Sequence, residues 1–255
     1  MTGHRALRDA ATWLHLSPAR VRRLYSGEGG VFPGLSPEGL DHLRRVDSRA
    51  WGTDSAMRTR MIGALVEEFP VSLAVLGVEV AGTFIDSDEM WAVLGGRARL
   101  TDTFSGFLLP LAGGMAGLEG AIAAARRDRN RPVAPAGVRT LAGISTLLVD
   151  AGIFRCWQRE WSAGADLPCR VAAGLRVNAP PEELSPVHVL IQARGNPVEI
   201  LLSELGEAAG ELFSWLAEPR GFEAVVGRLI AAEMSRAEAM ELIDRWRAEG
   251  LLAGS

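Results

Sequence analysis

Side chains able to do chemistry are sparse in this sequence, and they are scattered. Four histidines, His4, His15, His42 and His188, fall singly, with no two at the spacing of a metal-binding pair. His4, His15 and His42 read as residues on or near helix surfaces. His188 sits in an apolar strand, where alternation points it away from Val187 and Val189. Cys156 and Cys169 have no CxxC spacing and no adjacent histidine, so they read as small buried or half-buried thiols. Carboxylates cluster at Glu67-Glu68 and at Asp86-Ser87-Asp88-Glu89. Acids on neighbouring turns hold a metal only when a histidine or a further acid joins them, and none does by spacing. A solvated helix face and a helix cap are the simpler readings. Gly113-Gly114-Met115-Ala116-Gly117 lacks the lysine and the preceding strand of a phosphate loop, so its glycines read as sites of close helix packing.

All 27 basic residues are arginine. This chain therefore offers no phosphate-binding lysine, no Schiff-base lysine and no lysine general base. No nucleophile–base pair can be nominated from local sequence, so we expect no catalytic residue and no metal ligand. The formal charge of −4 gives no reason to expect polyanion binding over the whole surface. The N-terminus lacks the apolar region of a signal peptide, and Val71 to Ile85 is too short and too interrupted to span a membrane. The expectation is a soluble cytoplasmic protein.

Helices dominate the pattern from residue 1 to 131. Leu7, Ala10, Ala11 and Leu14 recur at helical spacing, and Ser17-Pro18 and Ser36-Pro37 each read as an N-cap followed by a first-turn proline. Glu28-Gly29-Gly30 reads as part of the loop between these units. The strongest helix runs from about Asp54 to Glu68, and Pro70 interrupts it before a short apolar helix at Ser72 to Gly77. Asp86 to Glu89 reads as an acidic cap for the Trp91 helix. A last helix covers Ala112 to Arg127. The polar run Arg126-Arg127-Asp128-Arg129-Asn130-Arg131-Pro132 then reads as a domain boundary.

Beyond the boundary, Ile144 to Val149 reads as a strand, Asp150-Ala151-Gly152 as a turn and Ile153 to Gln158 as its partner strand. Gly164 to Glu183 reads as an irregular loop. Val187 to Ile191 and Val198 to Leu202 form a hairpin across Arg194-Gly195-Asn196. Three helices follow, at Leu205 to Leu216, Phe222 to Ala232 and Ser235 to Glu249. The fold class is α+β and mostly helical. A helical domain at 1–131 precedes a strand-rich segment and a C-terminal winged-helix-like module at 132–255.

A winged-helix shape invites DNA binding, so charge must decide. From residue 185 onward, six arginines face eleven acids, a net of −5. A duplex reader must neutralise phosphates, and a module of this sign repels them. A sheet edge beside a helix can instead accept an extended peptide as an added strand.

Several stretches together resemble a known family. "LDHLRRVDSR" at Leu40 to Arg49 and "MRTRMIGALVEEFPVSLAVLG" at Met57 to Gly77 are similar to the helical region of partner proteins of multinuclear non-haem iron-dependent oxidative enzymes. Those partners act in the biosynthesis of ribosomally made, modified peptides. "IDSDEMW" at Ile85 to Trp91, "APAGVRTLAG" at Ala134 to Gly143 and "AEGLL" at Ala248 to Leu252 fit the same layout. The resemblance implies a non-catalytic accessory subunit with no metal of its own, iron being held by the partner enzyme. It further implies a heterodimer with that enzyme and a C-terminal element that binds a precursor leader peptide by strand addition. The peptide-binding candidates are Val187, Val189, Ile191, Val198, Ile200, Leu202 and, on the third helix, Ile243. Candidates for enzyme contact are Arg49, Trp51, Arg58, Glu67, Glu68, Phe69 and Pro70. Two other readings stay open: a winged-helix DNA-binding transcriptional regulator, and an enzyme whose site is assembled from distant residues.

Overall fold

The structure is a computed structural model describing residues 2–27, 32–131, 137–162, 164, 166–180 and 185–254. Glu28 to Gly30, Pro132, Ala134 to Ala136 and the end of the expected loop at Glu183 lie outside the described residues. The protein is α+β, 62% helical, with a small antiparallel sheet. It divides into two compact units, Met1–Gly120 with Trp157–Ala179, and Ala121–Cys156 with Pro180–Ser255. The expected division at residue 131 thus differs in two ways. The boundary falls inside a helix, and a later stretch of chain returns to the first unit.

The first unit is helical. It contains α1 (Thr2–Leu16), α2 (Pro18–Tyr25), α3 (Pro37–Arg45), a 3-10 turn at Ser48–Ala50, α4 (Ser55–Glu68) and α5 (Pro70–Leu76). Then come α6 (Glu79–Asp86), α7 (Met90–Leu94), α8 (Leu100–Ala112) and the start of α9 (Gly114–Asp128). Local chemistry sets the starts. Ser17 Oγ accepts the Arg20 N–H at 3.1 Å, Ser36 Oγ accepts Gly39 N–H at 3.1 Å, and Asp54 Oδ1 accepts Met57 N–H at 2.8 Å. Phe104 holds the core through edge-on contacts with Phe69 and Phe84, at ring separations of 5.2 and 5.0 Å.

Asp86 to Glu89 does not cap α7, which has no side-chain bond at its start. Its acids are drawn to arginines far along the chain. Arg58 grips the Asp86 carboxylate with two nitrogens, at 3.0 and 3.3 Å, and also donates to the Leu16 and Gly82 carbonyls. Arg20, 1% exposed, lies over the Trp13 ring at 3.8 Å and donates to the Asp86 carbonyl and the Asp88 carboxylate. Burial lowers the Arg20 pKa from its ordinary value, and Asp88 opposes that shift. A guanidinium's planar fork suits such multiple donation, to carboxylates and carbonyls at once.

The second unit holds the sheet. After β1 (Arg139–Thr140) and β2 (Ile144–Asp150) the chain enters α10 (Ala151–Ser162), where a turn and a partner strand were expected. Asp150 Oδ1 accepts the Gly152 and Ile153 N–H groups at 2.8 and 3.3 Å, which starts a helix. Phe154, Trp157 and Trp161 then recur at spacings of three and four, a helical period. The expected irregular loop also contains α11 (Leu167–Ala172), in the stretch that returns to the first unit. β2's partner is the later strand β3 (Pro186–Arg194), which pairs in turn with β4 (Glu199–Leu205). All pairs are antiparallel, in the order β2-β3-β4. Helices α12 (Glu207–Trp215), α13 (Phe222–Ala231) and α14 (Arg236–Ala248) follow, as the sequence implies, and β5 (Leu252–Ala253) pairs with β1.

Glu119 is an acid that sequence does not single out. Its carboxylate, 1% exposed, accepts the Val71 and Ser72 N–H groups at 2.8 and 2.9 Å, closing the start of α5 from across the first unit. The Ser72 hydroxyl and the Trp157 indole N–H favour its ionised form but fall short of hydrogen-bond geometry. Burial wins, and its pKa rises from 4.5 to about 7. Between those values the folded chain holds a proton that the unfolded chain releases. Stability from this group is therefore full below pH 4.5 and is lost as pH rises towards about 7. Denaturant titrations across this range should show that decline in the parent and a flattened profile in Glu119→Gln. Glu119→Ala, which strands two buried N–H groups, should lower stability at every pH by about 1–3 kcal/mol.

Candidate functional site

Among the described strands of the β2-β3-β4 sheet, β3 has a neighbour on both sides and β2 and β4 lie at the edges. Strand register defines the faces. Leu190 sits between Thr146 and Ser203, and Ile191 between Ser145 and Leu202. The Leu190 face packs on the helices: Leu190, Leu212, Phe213, Leu216, Val226 and Ile243 share one core, with Ile144 and Leu205 packed against it. α12 lies against this face. Its Ser214 hydroxyl meets Thr146 Oγ1 at 2.9 Å, and Gly210 approaches His188 so closely that a Cβ there would lie 2.0 Å from the imidazole Cγ.

β3 is buried from Val189 to Ala193, including both faces of the strand. β4 differs, with half-buried Ile200, Leu202 and Leu205 interspersed among exposed Glu199, Leu201, Ser203 and Glu204. Leu201 is 43% exposed, an unusual apolar presence on a sheet edge.

These positions sort the peptide-binding candidates. Val189, Ile191 and Ile243 have no exposed surface, so they can only support a surface that others present. Val187, Val198, Ile200 and Leu202 are half-buried, and the last two belong to the edge strand. α14 turns Ile243 into the core, while its Leu242 and Trp246 line an apolar groove of about 410 Å³ with Leu212, Leu229 and Met234. The helix laid directly on the strands is α12, whose role the sequence does not signal.

The enzyme-contact candidates all lie in the first unit. Phe69 and Pro70 belong to its core, and Arg58 is engaged by Asp86. Arg49 and Glu67 are exposed, while Glu68 and Trp51 are half-buried. The Trp51 indole donates to the Tyr25 hydroxyl at 2.9 Å and stands edge-on to His15.

His4 and His42 are exposed, and His15 Nδ1 lies 2.9 Å from the Gly52 carbonyl. Cys156 is buried, Cys169 is exposed, and both are free thiols. Among the described residues no group of His, Cys, Asp or Glu is arranged to hold a metal ion. No described helix is long and apolar enough to cross a membrane. The chain matches no protein-family model, and no curated protein emerges as a relative.

Because Gly210 admits the His188 ring, Gly210→Ala should force α12 off the sheet. Thermal or denaturant unfolding should register a loss of about 1–3 kcal/mol.

Proposed function

We propose that this chain is a non-catalytic accessory subunit. It holds the leader segment of a precursor peptide as an added strand and docks that peptide onto a multinuclear iron-dependent oxidative enzyme. The observation that carries this reading is the open edge of β4, whose sole sheet neighbour among the described strands is β3. An edge strand presents unpaired main-chain donors and acceptors, and proteins normally blunt such edges with charge, proline or a covering element. In β4 the stretch Ile200 to Ser203 carries no charge and no proline, with charges only at Glu199 and Glu204. An extended peptide would gain main-chain hydrogen bonds there, and the alternating side chains would set its register. Strands followed by α12, α13 and α14 in a winged-helix-like order are compatible with that use.

The DNA-binding reading fares worse. On α14, Glu238, Glu241 and Asp244 are exposed, Arg236 is paired with Glu223 at 2.7 Å, and Arg247 with Asp244 at 3.3 Å. Few free cations would meet a phosphate backbone.

Co-expression with the iron enzyme encoded nearest this gene, followed by gel filtration, should yield one complex, and the isolated chain should retain no stoichiometric iron. Fluorescence polarisation with the co-encoded precursor peptide should give saturable binding. Leu201→Lys places a charge on the open edge without entering the core, and it should weaken binding roughly tenfold, or ~1.4 kcal/mol. Two separate species on the column together with no peptide binding would refute the assignment.

A further inference from the structure

The run Arg126 to Arg131, legible in sequence only as a polar boundary, leads into a basic cleft of the second unit. Arg126 and Arg127 lie in the last turn of α9, where cations complement the helix dipole. Arg129 and Arg131 lie past that turn. With Arg139 and Arg194 they line two adjoining cavities, of about 560 and 340 Å³, whose walls share Arg131, Leu141, Ala142 and Ile144. One acid, Asp128, joins these walls, and its Oδ1 is taken by Arg127 Nε at 3.3 Å.

Two features of this cluster bear on what it can hold. Arg129, Arg131 and Arg139 form no ion pair or hydrogen bond through their side chains with any described residue, whereas Arg194 donates to the Glu249 carbonyl at 3.2 Å. Arg139 Nε is shut off from solvent without a hydrogen-bond partner among the described residues, which leaves the terminal nitrogens of its guanidinium to meet the larger cavity. Buried donors without acceptors are unfavourable, and like charges gathered in one cleft repel. An oxyanion at the terminal nitrogens relieves the repulsion, because guanidinium forks match the acceptors of phosphate and carboxylate.

We infer that this cleft binds an oxyanion, a phosphate or carboxylate group, held by the guanidinium groups of Arg131 and Arg139. The site stands at the first residues of β2, on the opposite side of the sheet order from β4. It neither requires nor is required by peptide docking on that strand. The oxyanion could be a free small molecule or a side chain of an acidic peptide, and the chemistry of capture is the same.

Isothermal titration of the full chain at low ionic strength should separate the sources. Inorganic phosphate and citrate probe the free anion; a glutamate-rich peptide, with its glutamine counterpart as control, probes the peptide-borne carboxylate. At least one anionic probe should bind, weaken with added salt, and lose about tenfold in affinity in Arg139→Gln and in Arg131→Gln. Arg236→Gln, on α14 and paired with Glu223, should leave the affinity unchanged. Arg131 is exposed, so its variant keeps the test open should Arg139→Gln fold poorly. Absence of binding by every anionic probe would overturn the inference, as would binding that neither cleft variant weakens or that the glutamine peptide matches.

Discussion

The central strand of the second unit's sheet is buried on both faces, and much of that unit follows from this constraint. Val189 to Ala193 can be sealed in only if strands lie on either side and helices or other chain lie above and below. α12 meets the requirement on one face, which explains a glycine at 210, where any side chain would strike His188. Sealing β3 consigns β2 and β4 to the edges. Edge strands keep one row of main-chain groups unpaired, so the price of a dry centre is two reactive rims. Each rim carries an exposed leucine, Leu201 on β4 and Leu148 on β2, and the β2 rim begins beside a cluster of arginines.

Arginine, the chain's only strong cation, is used in two physical regimes. In the first unit Arg20 and Arg58 are drawn inward and supplied with acceptors, chiefly the Asp86 and Asp88 carboxylates and nearby carbonyls. Desolvation is offset there by several well-placed hydrogen bonds, so the pairs act as struts joining distant helices. In the second unit Arg129, Arg131 and Arg139 are gathered without such acceptors among the described residues. The same side chain is structural where its fork is filled and receptive where it is empty. Glu119 is the complementary case, an acid held in the interior by two backbone N–H groups rather than by a cation.

Much of the local architecture was legible in the residues. Ser17-Pro18, Ser36-Pro37 and Asp54 mark helix starts through short-range hydrogen bonds, and the structure has those bonds. The β3–β4 hairpin and the last three helices were likewise readable, because β-branched runs, turn residues and the Ser235–Glu238 capping box act over a few positions. Failures arose where a partner lies far away. Asp86 and Asp88 looked like a cap, since the arginines that claim them come from α2 and α4. Ile153 to Gln158 looked like a strand because Asp150-Ala151-Gly152 looked like a turn after β2, and the true neighbour enters more than thirty residues later, at Pro186.

By itself, then, the sequence determined the fold class, the approximate places of most helices and of the β3–β4 hairpin, and the absence of lysine chemistry. It also determined the acidic balance of the final stretch, which weighs against a nucleic-acid surface. Tertiary structure alone decided which candidates are accessible. Val189, Ile191 and Ile243 vanish into the core while Ile200 and Leu202 remain on an edge, though all five are similar apolar residues. It alone decided that arginines from a boundary segment and from β1 share one cleft. The reason is range: caps, turns and periodicity are set by neighbours along the chain, whereas burial and the meeting of charges depend on which distant segments pack together.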